Sequence, residues 1–329
     1  MTTSVLIAAY NAAGTIEATL RSVFNQSVDP AEVVVLLDGG EDATESRLEE
    51  FRDRIRLLKQ ANQGIACARN RLVRESKGDI LAFVDADDLW HPKYLETQCR
   101  LMEEKPEAVA SFTGHITFHG KDYTWADPFF SNPRDPELID PVSFFIRYNT
   151  TTGVFGSMSY CCVSRRAFDR LDPEPFTNDL HGIEDSFLCY ALALLGPVAY
   201  DPSPLVAYRL TAGSLSENRI RNLGRWVTAF ARLEHRYLTC GSAPLRTAFS
   251  FYYASKRREY AKLLAGAGRL KEAQFQLLES LRNCKSPSSI AKSIGLLGIS
   301  MLPSQMQPAW PSSVRQVNKT GPVRESSSA

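Results

Sequence analysis

Over roughly its first 110 residues the chain alternates short apolar runs with stretches whose apolar residues recur at helical spacing. Residues 4–9 (SVLIAA), 32–37 (EVVVLL) and 80–84 (ILAFV) each read as a buried strand, and 55–59 as a shorter one. Between them, residues 15–24 place Ile16, Leu20, Val23 and Phe24 on one helical face, and 43–52 and 64–76 also read as helices. This alternation predicts an α/β fold with a parallel sheet. Three of the strands stop in a turn or polar cluster: Tyr10-Asn11, Asp38-Gly39 and Asp85-Ala86-Asp87. In open α/β sheets ligands sit at the carboxyl ends of strands, so these distant clusters are expected to share one crevice.

Beyond residue 110 the pattern loosens. Residues 111–141 are irregular, rich in aromatics and prolines, and carry His115, His119 and Trp125. Such text suits a segment that packs over the sheet or faces a substrate. Residues 154–164 read as another strand. Residues 182–195 (GIEDSFLCYALALL) read as a helix opening on Glu184-Asp185, acids that the dipole of a first turn favours. Residues 220–282 read as helices, with 252–264 and 270–281 resembling a hairpin of tetratricopeptide type, although one pair is no repeat array. The expected organisation is an α/β domain over 1–219 (halves 1–110 and 111–219), a helical extension over 220–283, and a Ser/Pro-rich, largely disordered tail over 284–329. Within that tail, 290–302 (IAKSIGLLGISML) reads either as a short interfacial helix on anionic lipid or as a plain packing segment.

Charge narrows the partners. Lys and Arg number 38 against 37 Asp and Glu, so nothing in the balance points to nucleic acid, and an anionic ligand must be held locally. The seven cysteines are odd in number and scattered, as expected of reduced thiols rather than a disulfide framework. Residues 1–4 lack a basic leader segment and no run is long enough to span a bilayer. The expectation is a cytoplasmic protein, with peripheral membrane contact through the C-terminal segment left open.

The chemistry concentrates at Asp85-Ala86-Asp87-Asp88. A turn at a strand end brings two carboxylates to one crevice, and with a diphosphate they suit Mg²⁺ or Mn²⁺, which keep phosphate and water in their shell. Asp88, just ahead of an expected helix, reads as its cap. His91, His115, His119 and His181 have no zinc-like spacing, and Ser157 and Ser159 lack a nucleophile elbow.

Several motifs in order then carry a resemblance. SVLIAAYN at 4–11, SVFNQ at 22–26, VLLDGGEDAT at 35–44, NQGIACARN at 62–70 and KGDILAFVDADDLWHP at 77–92 together resemble the first half of the family 2 glycosyltransferases. Those are inverting enzymes of the GT-A fold, a Rossmann-like mixed sheet flanked by helices; here a C-terminal helical extension follows. The resemblance implies a nucleoside-diphosphate sugar donor, UDP-linked, a glycan or lipid-linked glycan acceptor, and a divalent cation. It also implies roles. Tyr10 and Asp38 would line the base with backbone help from Ala8, Arg69 would sit near the nucleotide or brace its loop, Asp85 would approach the ribose and sugar, and Asp87 would hold the metal. GIEDSFL at 182–188 is similar to the family's Glu-Asp segment, which makes Asp185, with Glu184 beside it, the expected base. YRLTAGS at 208–214 is similar to a segment that closes over the diphosphate, with Arg209 kept but Thr211 where the family has histidine. Ala8 stands for the usual proline and Leu37 for the first of two paired acids.

Two rivals follow from the same residues. A nucleotidyltransferase would show a Gly-rich basic loop after the first strand, which residues 10–14 (YNAAG) do not supply. A catalytically weak binding scaffold is argued against by the intact Asp85, Asp87 and Asp185, and favoured only by Thr211.

Overall fold

The computed structural model describes residues 1–120, 123–125, 135–147, 156–210, 219–239, 241–283 and 286–301. They divide into two compact units, 1–252 and 253–329. In the first, nine strands run in chain order as β1 Thr3–Ala9, β2 Glu32–Asp38, β3 Arg56–Gln60, β4 Ile80–Phe83, β5 Leu89–Trp90, β6 Ala110–Phe118, β7 Glu137–Ile139, β8 Cys161–Ser164 and β9 Val198–Arg209. They form one sheet in the order β3-β2-β1-β4-β8-β6-β9-β5, with β7 also on β9.

The left half of that order is parallel throughout. Strands β1, β2 and β4 are buried almost end to end, which explains why they appear in the sequence as unbroken apolar runs rather than alternations, whereas β3 at the sheet edge is only half-buried. Strand β8 enters antiparallel between β4 and β6, and β9 runs parallel to β6. Two reversals return β6 and β9 to the direction of β4. The carboxyl ends of β1, β2, β4 and β9 therefore lie on one edge of the sheet, and every polar cluster that follows those strands is delivered there.

Helices α1 Ile16–Phe24, α2 Thr44–Leu48, α3 Ile65–Glu75 and α4 Tyr94–Glu104 cover the sheet, α3 packing on β1 and β2, α1 on β5, and α4 on β6 and β9. After the short α5 Pro141–Arg147 and α6 Arg165–Phe168 come α7 Glu184–Leu195 and α8 Arg219–Tyr237. The long α9 Ala243–Gly266 crosses the boundary between the units; α10 Leu270–Asn283 and α11 Pro287–Met301 belong to the second. Helix α11 stands inside the stretch expected to be largely unstructured from residue 284, and 302–329 lie outside the described residues.

Two local readings change. Of the strand expected over 154–164, residues 154–155 lie outside the described residues, and among the described ones Cys161–Ser164 is strand, preceded by a 3₁₀ turn, Met158–Tyr160. The irregular text after residue 110 opens with β6, and its parallel partner β9 carries prolines at 202 and 204. The pairing tolerates them by shifting register around Gly114. A methyl group at Gly114 would lie 2.4 Å from the Pro202 carbonyl oxygen. Gly114→Ala is therefore expected to destabilise the chain by about 1–3 kcal/mol through overpacking against backbone. Urea denaturation with an unchanged slope and a lowered midpoint would register it; an unmoved midpoint would mean the bulge has room to spare.

Candidate active site

The shared edge encloses a crevice of about 770 Å³ whose walls include Tyr10, Arg69, Asp85, Asp87, Glu184, Asp185 and Arg209. A second hollow of about 330 Å³ adjoins it, lined by Ala8, Tyr10, Asp38, Asn62, Gly64 and His181 among others. Ala8, Tyr10, Ile65 and His181 line both. Ala8, Tyr10, Asp38, Arg69, Asp85, Asp87, Glu184, Asp185 and Arg209 each line one or both of these cavities.

Arg69 is at the centre. It stands on α3, is 4% exposed, and faces three carboxylates. One Nη donates to Asp85 at 2.7 Å and to Asp185 at 3.3 Å; the other contacts Asp185 and reaches Glu184 at 3.3 Å. Burial alone would lower the affinity of this guanidinium for its proton, but Asp185, Asp85 and Glu184 together raise it. Burial pushes the Asp185 carboxyl up to about 7, with Arg69 pulling it down and Glu184 and Asp85 pushing it further up. Asp185 also accepts the Met158 amide at 3.3 Å, and Glu184 accepts that of Gly182 at 2.5 Å, so the first turn of α7 is held from two sides.

Asp87 differs from its neighbours. Its carboxylate lines the crevice, and no hydrogen bond to it is found among the described residues; burial, then Asp85, pushes its pKa up to about 6 while Arg209 lowers it. A half-buried acid crowded by another acid is electrostatically receptive to a cation. Among the described residues no group of three or more His, Cys, Asp or Glu side chains converges to hold a metal. A cation here would have one protein carboxylate at Asp87 and would draw its remaining ligands from a bound diphosphate and water, which suits Mg²⁺ or Mn²⁺.

Asp88 requires a correction. Helix α4 begins at Tyr94, with Lys93 before it, and Asp88 caps nothing. It is fully buried and its Oδ1 accepts the backbone amide of Arg209 at 2.9 Å, 121 residues further on. The Arg209 Nε returns a hydrogen bond to the Asp87 carbonyl at 2.7 Å, and its guanidinium also donates to the Gly120 carbonyl. The end of β9 is thus buttoned to the acidic turn by a two-way contact. Ser159 is a further brace: its hydroxyl accepts the Asp85 amide at 3.0 Å, and its carbonyl accepts the Trp90 indole at 2.8 Å.

Asp38 is also more occupied than its sequence setting suggests. Its two oxygens accept from the Gln60 side chain at 2.7 Å and from the Gln63 and Gly64 amides at 3.0 and 2.9 Å. Three of about four acceptor positions are therefore taken, one by the end of β3 and two by the 62–64 loop, which itself walls the smaller hollow. Tyr10, by contrast, is 52% exposed and lines both cavities. His181, which spacing had not marked, lines both cavities from the loop ahead of α7. Thr211 lies outside the described residues.

Removing the Arg69 charge should leave Asp85, Glu184 and Asp185 facing one another in a buried pocket. Arg69→Met is expected to cost about 3–5 kcal/mol above neutral pH. Unpaired buried carboxyls titrate higher folded than unfolded, so protonation favours the folded variant and its deficit should shrink as pH falls from 8 to 5. Urea melts of both proteins at the two pH values test this; a deficit independent of pH would mean that packing, not charge, was lost.

A family model described as glycosyl transferase family 2 matches residues 4–171. Among curated relatives, the UDP-Glc:alpha-D-GlcNAc-diphosphoundecaprenol beta-1,3-glucosyltransferase WfaP of Escherichia coli is 28% identical over 227 residues, 68% of this chain and 82% of its own. Of the first two relatives matched, the chain spans 64% of the length of one and 82% of the other. Among solved structures, S. aureus TarS 1-349 in complex with UDP-GlcNAc superposes with a TM-score of 0.61 at 14% identity, covering 91% of this chain and 90% of that one. The mannosyltransferase PcManGT from Pyrobaculum calidifontis, in complex with GDP-Man and Mn²⁺, gives a TM-score of 0.55 at 18% identity, with 89% and 79% covered. At such identities the likeness establishes the fold, GT-A with a helical C-terminal segment.

Proposed function

The chain belongs to glycosyltransferase family 2 and is a glycosyltransferase; from that premise we propose that it moves a sugar, with inversion, from a UDP-sugar to a hydroxyl of a glycan or lipid-linked glycan on the cytoplasmic side. One observation carries this: Arg69 draws Asp85, from the end of β4, and Asp185, from the start of α7, to the same crevice whose wall carries Asp87. In this reading one guanidinium holds the donor-facing acid, Asp85, and the base, Asp185, on the wall of one crevice. The UDP choice is supported by a relative named for UDP-Glc and by a fold neighbour crystallised with UDP-GlcNAc. The lipid-linked acceptor is supported by the diphosphoundecaprenol substrate in the name of that relative.

In this reading the uracil enters the smaller hollow against Tyr10, with the Asp38-held loop and the Ala8 backbone at its edges. Asp85 receives the ribose and sugar hydroxyls. Asp185 accepts the proton of the acceptor hydroxyl as that oxygen bonds to the anomeric carbon from the face opposite the diphosphate, whose bond to carbon breaks in the same step. The nucleoside diphosphate leaves with the electron pair, and no covalent enzyme intermediate forms. A divalent cation at Asp87 would neutralise the charge that builds on that leaving group. Arg69 keeps the Asp185 carboxylate aimed into the crevice, Arg209 fixes the turn that presents Asp87, and Glu184 secures the loop ahead of α7.

A donor panel assayed for release of nucleoside diphosphate tests the assignment. Asp185→Asn should lower kcat by about 10²–10⁴-fold with donor affinity retained. Asp87→Ala should abolish the metal dependence of turnover and weaken binding of the intact donor more than that of the nucleoside. Because a base must be deprotonated and Asp185 titrates near 7, wild-type kcat/KM should fall as pH drops below about 7 and level off above it. Wild-type turnover by either variant with the true donor and acceptor would refute the assignment.

A further inference from the structure

Helix α11 is built inside out. Its buried positions are serines: Ser289, Ser293 and Ser300 are all almost completely shielded. Ile290, Ile294 and Leu297, at i, i+4 and i+7 on one stripe, are left half-buried or exposed, with Ile294 55% exposed. The reason lies beneath the helix. Arg258 of α9 is buried and donates to Ser289 at 2.5 Å and to Ser293 at 3.4 Å, while Ser293 pairs with Ser280 of α10 at 2.8 Å. A buried guanidinium requires hydroxyl acceptors, so the polar face turns inward and the branched apolar side chains turn out. An amphipathic helix on a water-soluble surface ordinarily does the reverse.

Charge identifies what the outward stripe meets. Residues 253–329 contain twelve Lys and Arg against four Glu and no Asp, whereas residues 1–252 contain 26 basic and 33 acidic residues. The chain is nearly neutral overall because a cationic C-terminal part offsets an anionic remainder. Helix α11 has one charged residue, the exposed Lys292, and no acid; Lys262 and Lys271 are also exposed in the same unit. Phe275 and Leu278 of α10 add exposed apolar surface. Of the basic residues described there, Arg257 and Arg258 are buried and Lys256, Arg269 and Arg282 are paired with Glu259, Glu272 and Glu279, so the exposed Lys262, Lys271 and Lys292 carry the excess positive charge of this surface. An anionic lipid surface supplies both complements at once, hydrocarbon for the stripe and negative headgroups for the lysines.

We propose that the stripe of α11 formed by the exposed Ile294 and the half-buried Ile290 and Leu297 lies in the headgroup boundary of an anionic membrane and docks the protein there, with the exposed Lys262, Lys271 and Lys292 supplying the attraction. The contact is peripheral: no helix among the described residues is long and apolar enough to cross a bilayer. It draws on residues 253–329 alone and is independent of which donor the crevice holds.

Co-sedimentation of the full chain with vesicles tests it, using phosphatidylcholine alone and phosphatidylcholine mixed with phosphatidylglycerol. Binding is expected to the mixed vesicles, to weaken with added salt, and to fall about tenfold or more in Ile294→Asp, while Ile294→Leu binds as wild type. Ile294 is exposed, so both variants should keep the wild-type urea transition, and that measurement separates lost docking from lost folding. Equal binding by Ile294→Asp and wild type, or no binding to either vesicle, would overturn the proposal. So would a wild-type dimer in light scattering that Ile294→Asp dissolves, since the stripe would then be a contact between copies.

Discussion

The architecture of the crevice turns on a single buried cation. Parallel strands deliver their carboxyl ends to one edge, and this chain loads that edge with acids: Asp85 from β4 and the Glu184-Asp185 pair of α7. Three carboxylates within reach of one another in a poorly hydrated pocket would repel, take up protons, or push the elements apart. The Arg69 guanidinium resolves the conflict because its fork of donors reaches all three. Since α3 lies among the first 110 residues and α7 follows β8, the same contact ties the end of β4 to the start of α7. The ionisation of Asp185 near neutrality is the balance between its burial and that single cation.

A second latch works on the opposite wall. Asp88 and Arg209 join the acidic turn to the end of β9, one through a side chain accepting a backbone amide and the other through a side chain donating to a backbone carbonyl. Contacts of this kind are insensitive to what the neighbouring side chains are, and they place Asp87 without using its carboxylate. The acid that faces the crevice is thereby left to a ligand, while the acid beside it is spent on structure.

Much of this could be read in advance, and the exceptions have physical causes. Strands β1, β2 and β4 and helix α3 are spelled out by unbroken apolar runs, helical spacing and glycine stops, because each is determined by burial on both faces or along one. Strands β6 and β9 were not legible: aromatic and histidine-bearing text in one and two prolines in the other argue locally against strand, and only their mutual pairing, with its bulge at Gly114, makes them so. Asp88 looked like a cap because an acid before a helix has the same local chemistry whether or not the helix uses it. The nucleotidyltransferase alternative, already weakened by the missing basic loop, is set aside by membership of the family.

By itself the sequence determined the α/β class, the edge of the sheet that collects the polar clusters, and which acids stand there, because strand ends and their turns are local features. Which acid pairs with which cation, which carboxylate is free, and why α11 turns its isoleucines outward were decided only by tertiary structure. Arg69 lies 116 residues from Asp185, Asp88 lies 121 from the amide it holds, and Arg258 lies 31 from Ser289. Electrostatic and hydrogen-bond partners at such separations leave no periodicity in the chain, since they act through space once the sheet has brought them together.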